Sequence, residues 1–116
     1  YAGPSLIVAY SPCIAHGVDM LYNQRQQDMA VKSGHWPLFR HDPRLEAAGA
    51  NPFKLDSAAP SQSMQTFMDS ETRFAMLARS HPDVARQLAA EAQREAAQRY
   101  RAYAELAARP AAPKPE

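Results

Sequence analysis

Ser5-Leu6-Ile7-Val8-Ala9-Tyr10-Ser11-Pro12-Cys13-Ile14-Ala15-His16-Gly17 is the stretch on which the fold turns. Residues 5–10 form an apolar run with β-branched members, bounded by Gly3-Pro4 before and Ser11-Pro12 after. A half-buried strand alternates polar with apolar residues, and this run does not. It therefore predicts a strand buried on both faces, as in a parallel sheet. From Val18 to Ser33 helix formers take over, with Val18, Leu21, Tyr22, Arg25 and Met29 at three- and four-residue steps and Gly34 as a stop. Strand, loop and helix in that order make a βα unit, so the expected fold class is α/β: the edge of a parallel sheet followed by an α-helical extension.

Outward from that unit, residues 36–57 predict an irregular segment that wraps over a neighbouring surface. Pro37, Pro43 and Pro52 interrupt it, while Leu38-Phe39 and Phe53-Leu55 supply short extended pieces. After Pro60 the pattern is helical, through Met64, Phe67 and Met68 and then Phe74 and Leu77, with a break at Ser80-His81-Pro82. Asp83 to Arg109 contains neither Gly nor Pro. Val84, Leu88, Ala92, Ala96, Tyr100, Tyr103 and Ala107 step down one face, predicting a helix of about 40 Å at 1.5 Å per residue. Ser80 or a neighbour is expected to cap it, with Pro82 in its first turn. Glu95 with Arg99 and Glu105 with Arg109 are acidic-before-basic pairs at four-residue spacing, best taken as a solvated face. The divisions expected are 1–57, 58–109 and a disordered Pro-rich tail over 110–116.

Composition narrows the function classes. The 116 residues suffice for about one small domain. Thirteen Lys and Arg balance twelve Asp and Glu, so no field steers the chain strongly toward nucleic acid. No apolar run reaches the ~18 residues that a bilayer span requires. None of the four glycines lies in a phosphate-cradling GxGxxG or GxxxxGK[ST] frame. One cysteine excludes an internal disulfide and a thiolate-rich zinc site completed within the chain. Twenty-three of the apolar residues are alanine, each removing little surface from water, so the core is expected to be weak. The chain opens on Tyr1, three residues before a hydrophobic run, and is expected to be a C-terminal fragment of something longer.

The densest chemistry is Ser11 to Gly17, at the carboxyl end of the expected strand, where open α/β sheets bind ligands. Cys13 followed by His16 admits three readings. It is a buried structural thiol, the ordinary state of free cysteine; a ligand of a cluster whose other ligands lie outside this chain; or a nucleophile activated by the imidazole. Composition ranks them in that order. Pro12 fixes the backbone beside the sulfur, and the amides of Ile14 to Gly17 are free to face an anionic group. His35, Trp36, Phe39 and His41 are expected to be packing anchors, and Tyr100 and Tyr103 to dock the last helix onto the parent protein.

Three segments in order, GPSLIVAYSPCIAHG, QRQQDMAVKSGHWPLFRHDPR and NPFKLDS, resemble the C-terminal region of the single-chain pyruvate:ferredoxin (flavodoxin) oxidoreductases, with the likeness running over residues 3 to 107. The resemblance implies that residues 1–57 end a thiamine-diphosphate-binding α/β domain and that 58–109 extend it. It implies an enzyme that oxidatively decarboxylates pyruvate or a related 2-oxoacid to acyl-CoA and CO₂, with thiamine diphosphate and Mg²⁺. Electrons would pass through 4Fe-4S clusters to ferredoxin or flavodoxin. Carried over residue by residue, it assigns Cys13 alone, as the fourth thiolate of the cluster nearest the thiamine; the other thiolates and the thiamine and Mg²⁺ ligands belong upstream. His16 is a weaker candidate for a hydrogen bond to that cluster. The expected partners are the upstream remainder of the enzyme, coenzyme A, the 2-oxoacid, the electron acceptor and a second copy in a homodimer, in the cytoplasm, with neither nucleic acid nor membrane. Such a piece is expected to be inactive alone. The rival expectation is a non-catalytic helical interaction module in which Cys13 is buried; a Cys-His hydrolase or transferase is the third.

Overall fold

A computed structural model describes residues 1–110. Three segments converge on one small core. The first is helix α1 (Asn23–Lys32), entered through a 3₁₀ turn at Met20–Tyr22 whose cap is Asp19, its carboxylate accepting from the Leu21 amide at 3.0 Å. Its buried residues Gln26, Met29 and Ala30 lie three and four positions apart, on one face. Helix α3 (Met64–Met68) repeats that spacing with Met64, Phe67 and Met68, and starts at Ser63, whose hydroxyl accepts from the Thr66 amide. Helix α5 (Pro82–Ala108) contributes Ala96, 1% exposed, whose small side chain lets the other two helices approach. Phe67 is fully buried at the centre, worth about 1.5–3 kcal/mol in apolar area removed from water. Gly34, at φ 76°, ends α1 against the rest: a Cβ there would lie 2.9 Å from Pro60 and 3.6 Å from the Ala96 Cβ.

The expected parallel strand at residues 5–10 is not formed. Among the described residues the chain's sheet is a two-stranded antiparallel hairpin, β1 (Phe39–His41) with β2 (Phe53–Leu55), pairing Phe39 with Leu55, Arg40 with Lys54 and His41 with Phe53. A strand covered on both faces needs paired neighbours, and none of the described strands pairs with this run; Leu6, Ile7 and Val8 are 87%, 90% and 67% exposed. The architecture is therefore mixed, a small sheet and mostly helices.

The segment expected to be irregular is ordered by that hairpin and by a short helix, α2 (Pro43–Ala47), between its strands. Asp42 caps α2, accepting from the Arg44 amide at 3.0 Å, and Pro43 occupies the first turn. Tyr103 of α5 packs on Phe39 and Phe53, with ring centroids 5.0 and 5.9 Å away. It thus docks within its own chain.

Helix α4 (Thr72–Ser80) folds back on α5 through His81-Pro82. Pro82 takes the first turn of α5 as expected, but no side chain caps that helix: Ser80 instead donates backward to the Met76 and Leu77 carbonyls. The apolar stripe of α5 begins out of phase with the expectation. Val84 and Leu88 are 48% and 44% exposed, while Ala85 and Ala89 line the α4 side, where small residues allow close approach. The Glu95–Arg99 pair is also not made. Arg99 turns inward and donates to the Gly34 and His35 carbonyls at 3.0 and 3.1 Å. Residues 111–116 of the expected disordered tail lie outside the described residues.

Candidate functional site: the cysteine turn

Cys13 stands at the head of a single 3₁₀ turn, Ile14–His16, in extended conformation with φ −129° and ψ 138°. Its carbonyl accepts from the His16 amide at 3.0 Å, and the Ile14 carbonyl accepts from the Gly17 amide at 2.9 Å. Those two bonds close the turn and leave the amides of Ile14 and Ala15 without a backbone acceptor among the described residues. The thiol is free and exposed, not buried, and makes no hydrogen bond to His16. Pro12 beside it is buried and fixes the direction from which the chain enters the turn.

Gly17 closes the turn in the left-handed region, φ 74°. Space demands glycine there as strictly as conformation does, since a Cβ would meet the Thr72 Cβ at 2.3 Å. The Thr72 hydroxyl donates to the Gly17 carbonyl at 3.0 Å, tying the turn to the start of α4. On the entry side, Tyr10 packs against Trp36 and His35, each with ring centroids 5.7 Å away. The polypeptide between these anchors bears the thiol.

Beneath the turn lies a buried polar cluster that sequence reasoning missed. Glu71 is fully buried at the N-cap of α4; its Oε1 accepts from Gln26 Nε2 at 2.9 Å and its Oε2 from Arg73 Nε at 2.5 Å. Gln26 in turn accepts from the Ser70 hydroxyl at 2.8 Å. A charge taken out of water persists only when paired and hydrogen-bonded, and both conditions hold. Burial first, and then the negative charge of Glu71, push the Tyr10 phenol above its ordinary pKa. The residue types gave little warning: Gln26 is polar in a helix read as amphipathic, and only its three-residue spacing from Met29 marks it as inward-facing.

Among the described residues no group of three His, Cys, Asp or Glu side chains could hold a metal ion. Cys13 can therefore contribute one ligand to a shared centre, and no more. For that role the turn is suited: an outward thiol, two uncommitted amides beside it and a backbone held on both sides.

Against known proteins, the chain is 46% identical over 107 residues to the pyruvate:ferredoxin oxidoreductase of Moorella thermoacetica, and 47% identical over 109 residues to the pyruvate-flavodoxin oxidoreductase of a Nostoc species. Those alignments take in 92% and 94% of this chain and 9% of each relative. The chain belongs to the pyruvate:ferredoxin (flavodoxin) oxidoreductase family. It corresponds to a C-terminal piece of these enzymes and spans about 9% of their length. A mitochondrial pyruvate dehydrogenase [NADP(+)] of Euglena gracilis is 43% identical over 84 residues, 71% of this chain and 5% of that protein. No family model matches the chain. No helix among the described residues is long and apolar enough to cross a membrane.

Proposed function

We propose that this chain gives one thiolate, Cys13, to a 4Fe-4S cluster of a thiamine-dependent pyruvate (or related 2-oxoacid):ferredoxin or flavodoxin oxidoreductase, and that it is inactive alone. One observation carries the reading: in a chain 46% identical over 107 residues to such an enzyme, the single cysteine is an outward thiol heading a turn in which the Ile14 and Ala15 amides have no backbone acceptor. When bound, the thiamine would supply the chemistry of decarboxylation and the cluster one-electron transfer, with Cys13 the residue of this chain that would hold the cluster. The other thiolates and the thiamine and Mg²⁺ ligands come from the preceding polypeptide, as do the sites for 2-oxoacid and coenzyme A.

This chain's own part is positional. Cys13 fixes one iron, and the Ile14 and Ala15 amides, which have no backbone acceptor among the described residues, are the donors whose hydrogen bonds to the cluster would favour its reduced, more negative state. Residues 1–57 end the thiamine-binding α/β unit, with 5–10 joining its sheet as a covered strand, and 58–109 form the helical extension. We assign the assembly to a homodimer in the cytoplasm.

Cys13→Ser in the complete polypeptide tests the reading. The expected outcome is loss or alteration of one cluster signal in the EPR spectrum, with ferredoxin or flavodoxin reduction lowered by ~10–100-fold or more. A wild-type spectrum and rate in that variant would sink the assignment.

A further inference from the structure

We infer that the junction between α3 and α4, Ser70-Glu71-Thr72, is a positioning element that holds the exit of the cysteine turn and so sets where the Cys13 sulfur points. The inference rests on the ligand reading of Cys13 and extends it to residues nearly sixty positions away in sequence. At the exit of the turn, Thr72 donates to the Gly17 carbonyl at 3.0 Å and packs so closely that no residue with a Cβ fits at Gly17. At the entry, Tyr10 packs against His35 and Trp36, with ring centroids 5.7 Å away in each case. Glu71 cannot swing away, because it is fully buried and held by Gln26 at 2.9 Å and Arg73 at 2.5 Å. Ser70 closes the arrangement by donating to Gln26 at 2.8 Å.

Between those anchors the turn has little support of its own. Cys13, Ile14 and Ala15 are all exposed, Ile14 to 74%, and only the two short-range backbone bonds hold them. A thiolate that must meet an iron held by other polypeptide needs its direction fixed beforehand, and a ligand's supporting contacts do this as much as its own backbone. Thr72, on a junction fixed by the buried Glu71, supplies that constraint at the exit, and the Tyr10 packing supplies it at the entry.

The test uses the complete, cluster-loaded polypeptide with Thr72→Val, Thr72→Ser and Glu71→Gln. Thr72→Val keeps the shape and removes the donor. It is expected to speed hydrogen exchange in the peptide covering Ile14 to Gly17 by roughly five- to tenfold. It is also expected to change the line shape of the Cys13-dependent EPR signal at unchanged iron content. Thr72→Ser restores both, and Glu71→Gln, which keeps the volume but weakens the Arg73 pairing, moves both the same way. Unchanged exchange in Thr72→Val overturns the inference, and so does faster exchange with an unaltered signal. Cys13→Ser keeps the two readings apart. If it leaves every cluster signal intact, the ligand assignment fails and the positioning role falls with it; if it removes one signal while Thr72→Val changes nothing, only the positioning role fails.

Discussion

His35 stacks on the buried Phe67 ring at 4.6 Å and meets the Tyr10 ring edge-on, so its imidazole sits where a charge is poorly solvated. Burial, and then the neighbouring Arg99 guanidinium, hold its pKa below the ordinary 6.5; Glu71 opposes them, and Arg73, the smallest influence, adds to the lowering. The folded state thus disfavours the proton that the unfolded chain accepts near pH 6.5. Stability is complete above that value and falls as pH drops from 6.5 through the lower folded pKa. Asp42, drawn down to about 2 by the Arg44 hydrogen bonds, and Asp56, lowered by Arg40, titrate well below this window and do not contribute to it. Urea midpoints followed by the fluorescence of Trp36, the only tryptophan, should decline between pH 7.5 and 5.5, and His35→Phe should flatten that decline. A slope unchanged in the variant would assign it to other groups.

At the scale of elements, the end of α5 is finished by a residue fifty-five positions earlier. Asn51 shares its two amide protons among the carbonyls of Leu106, Ala107 and Arg109 at 2.9–3.1 Å, while its own carbonyl accepts from the Phe53 amide at 2.9 Å. One side chain thereby satisfies the unpaired end of a helix and fastens it to β2. Asn51→Ala should cost about 1–2 kcal/mol and fray the last turn, read as a lower urea midpoint and faster exchange of the final α5 amides. The helices at α1 and α5 and the stop at Gly34 were legible from periodicity and punctuation. The phase of the α5 stripe was not, because ten of the fifteen apolar residues of that helix are alanine and lend little hydrophobic contrast between faces. The hairpin strands were visible as short extended pieces, but their pairing depends on Tyr103 from α5, a contact no local pattern encodes.

For the whole molecule, the radius of gyration of 17.7 Å exceeds the ~13 Å of a compact chain of this length, and the long dimension reaches 61 Å. A core of Met29, Ala30, Met64, Phe67, Met68 and Ala96 is small for such a frame. Leu6 to Val8 project beside Trp36 and Phe39 along an open groove, the kind of exposed apolar stretch that normally marks an interface. The isolated chain should therefore self-associate in sedimentation velocity, and Ile7→Lys should move that onset to about tenfold higher concentration by charging an unpaired extended segment. Monomeric behaviour of the unaltered chain at all concentrations would mean that this face is shielded in solution.

By itself the sequence determined helices α1 and α5 with their Gly34 and Pro82 boundaries and the loop that bears Cys13, since these depend on neighbours a few residues apart. Only the tertiary structure decided the fate of residues 5–10, the inward turn of Arg99, the Asn51 cap and the Glu71 cluster beneath Cys13. Each of those depends on which distant group occupies the next few ångströms. Burial and hydrogen bonding are properties of that meeting, whereas residue spacing records only one of the two surfaces that meet.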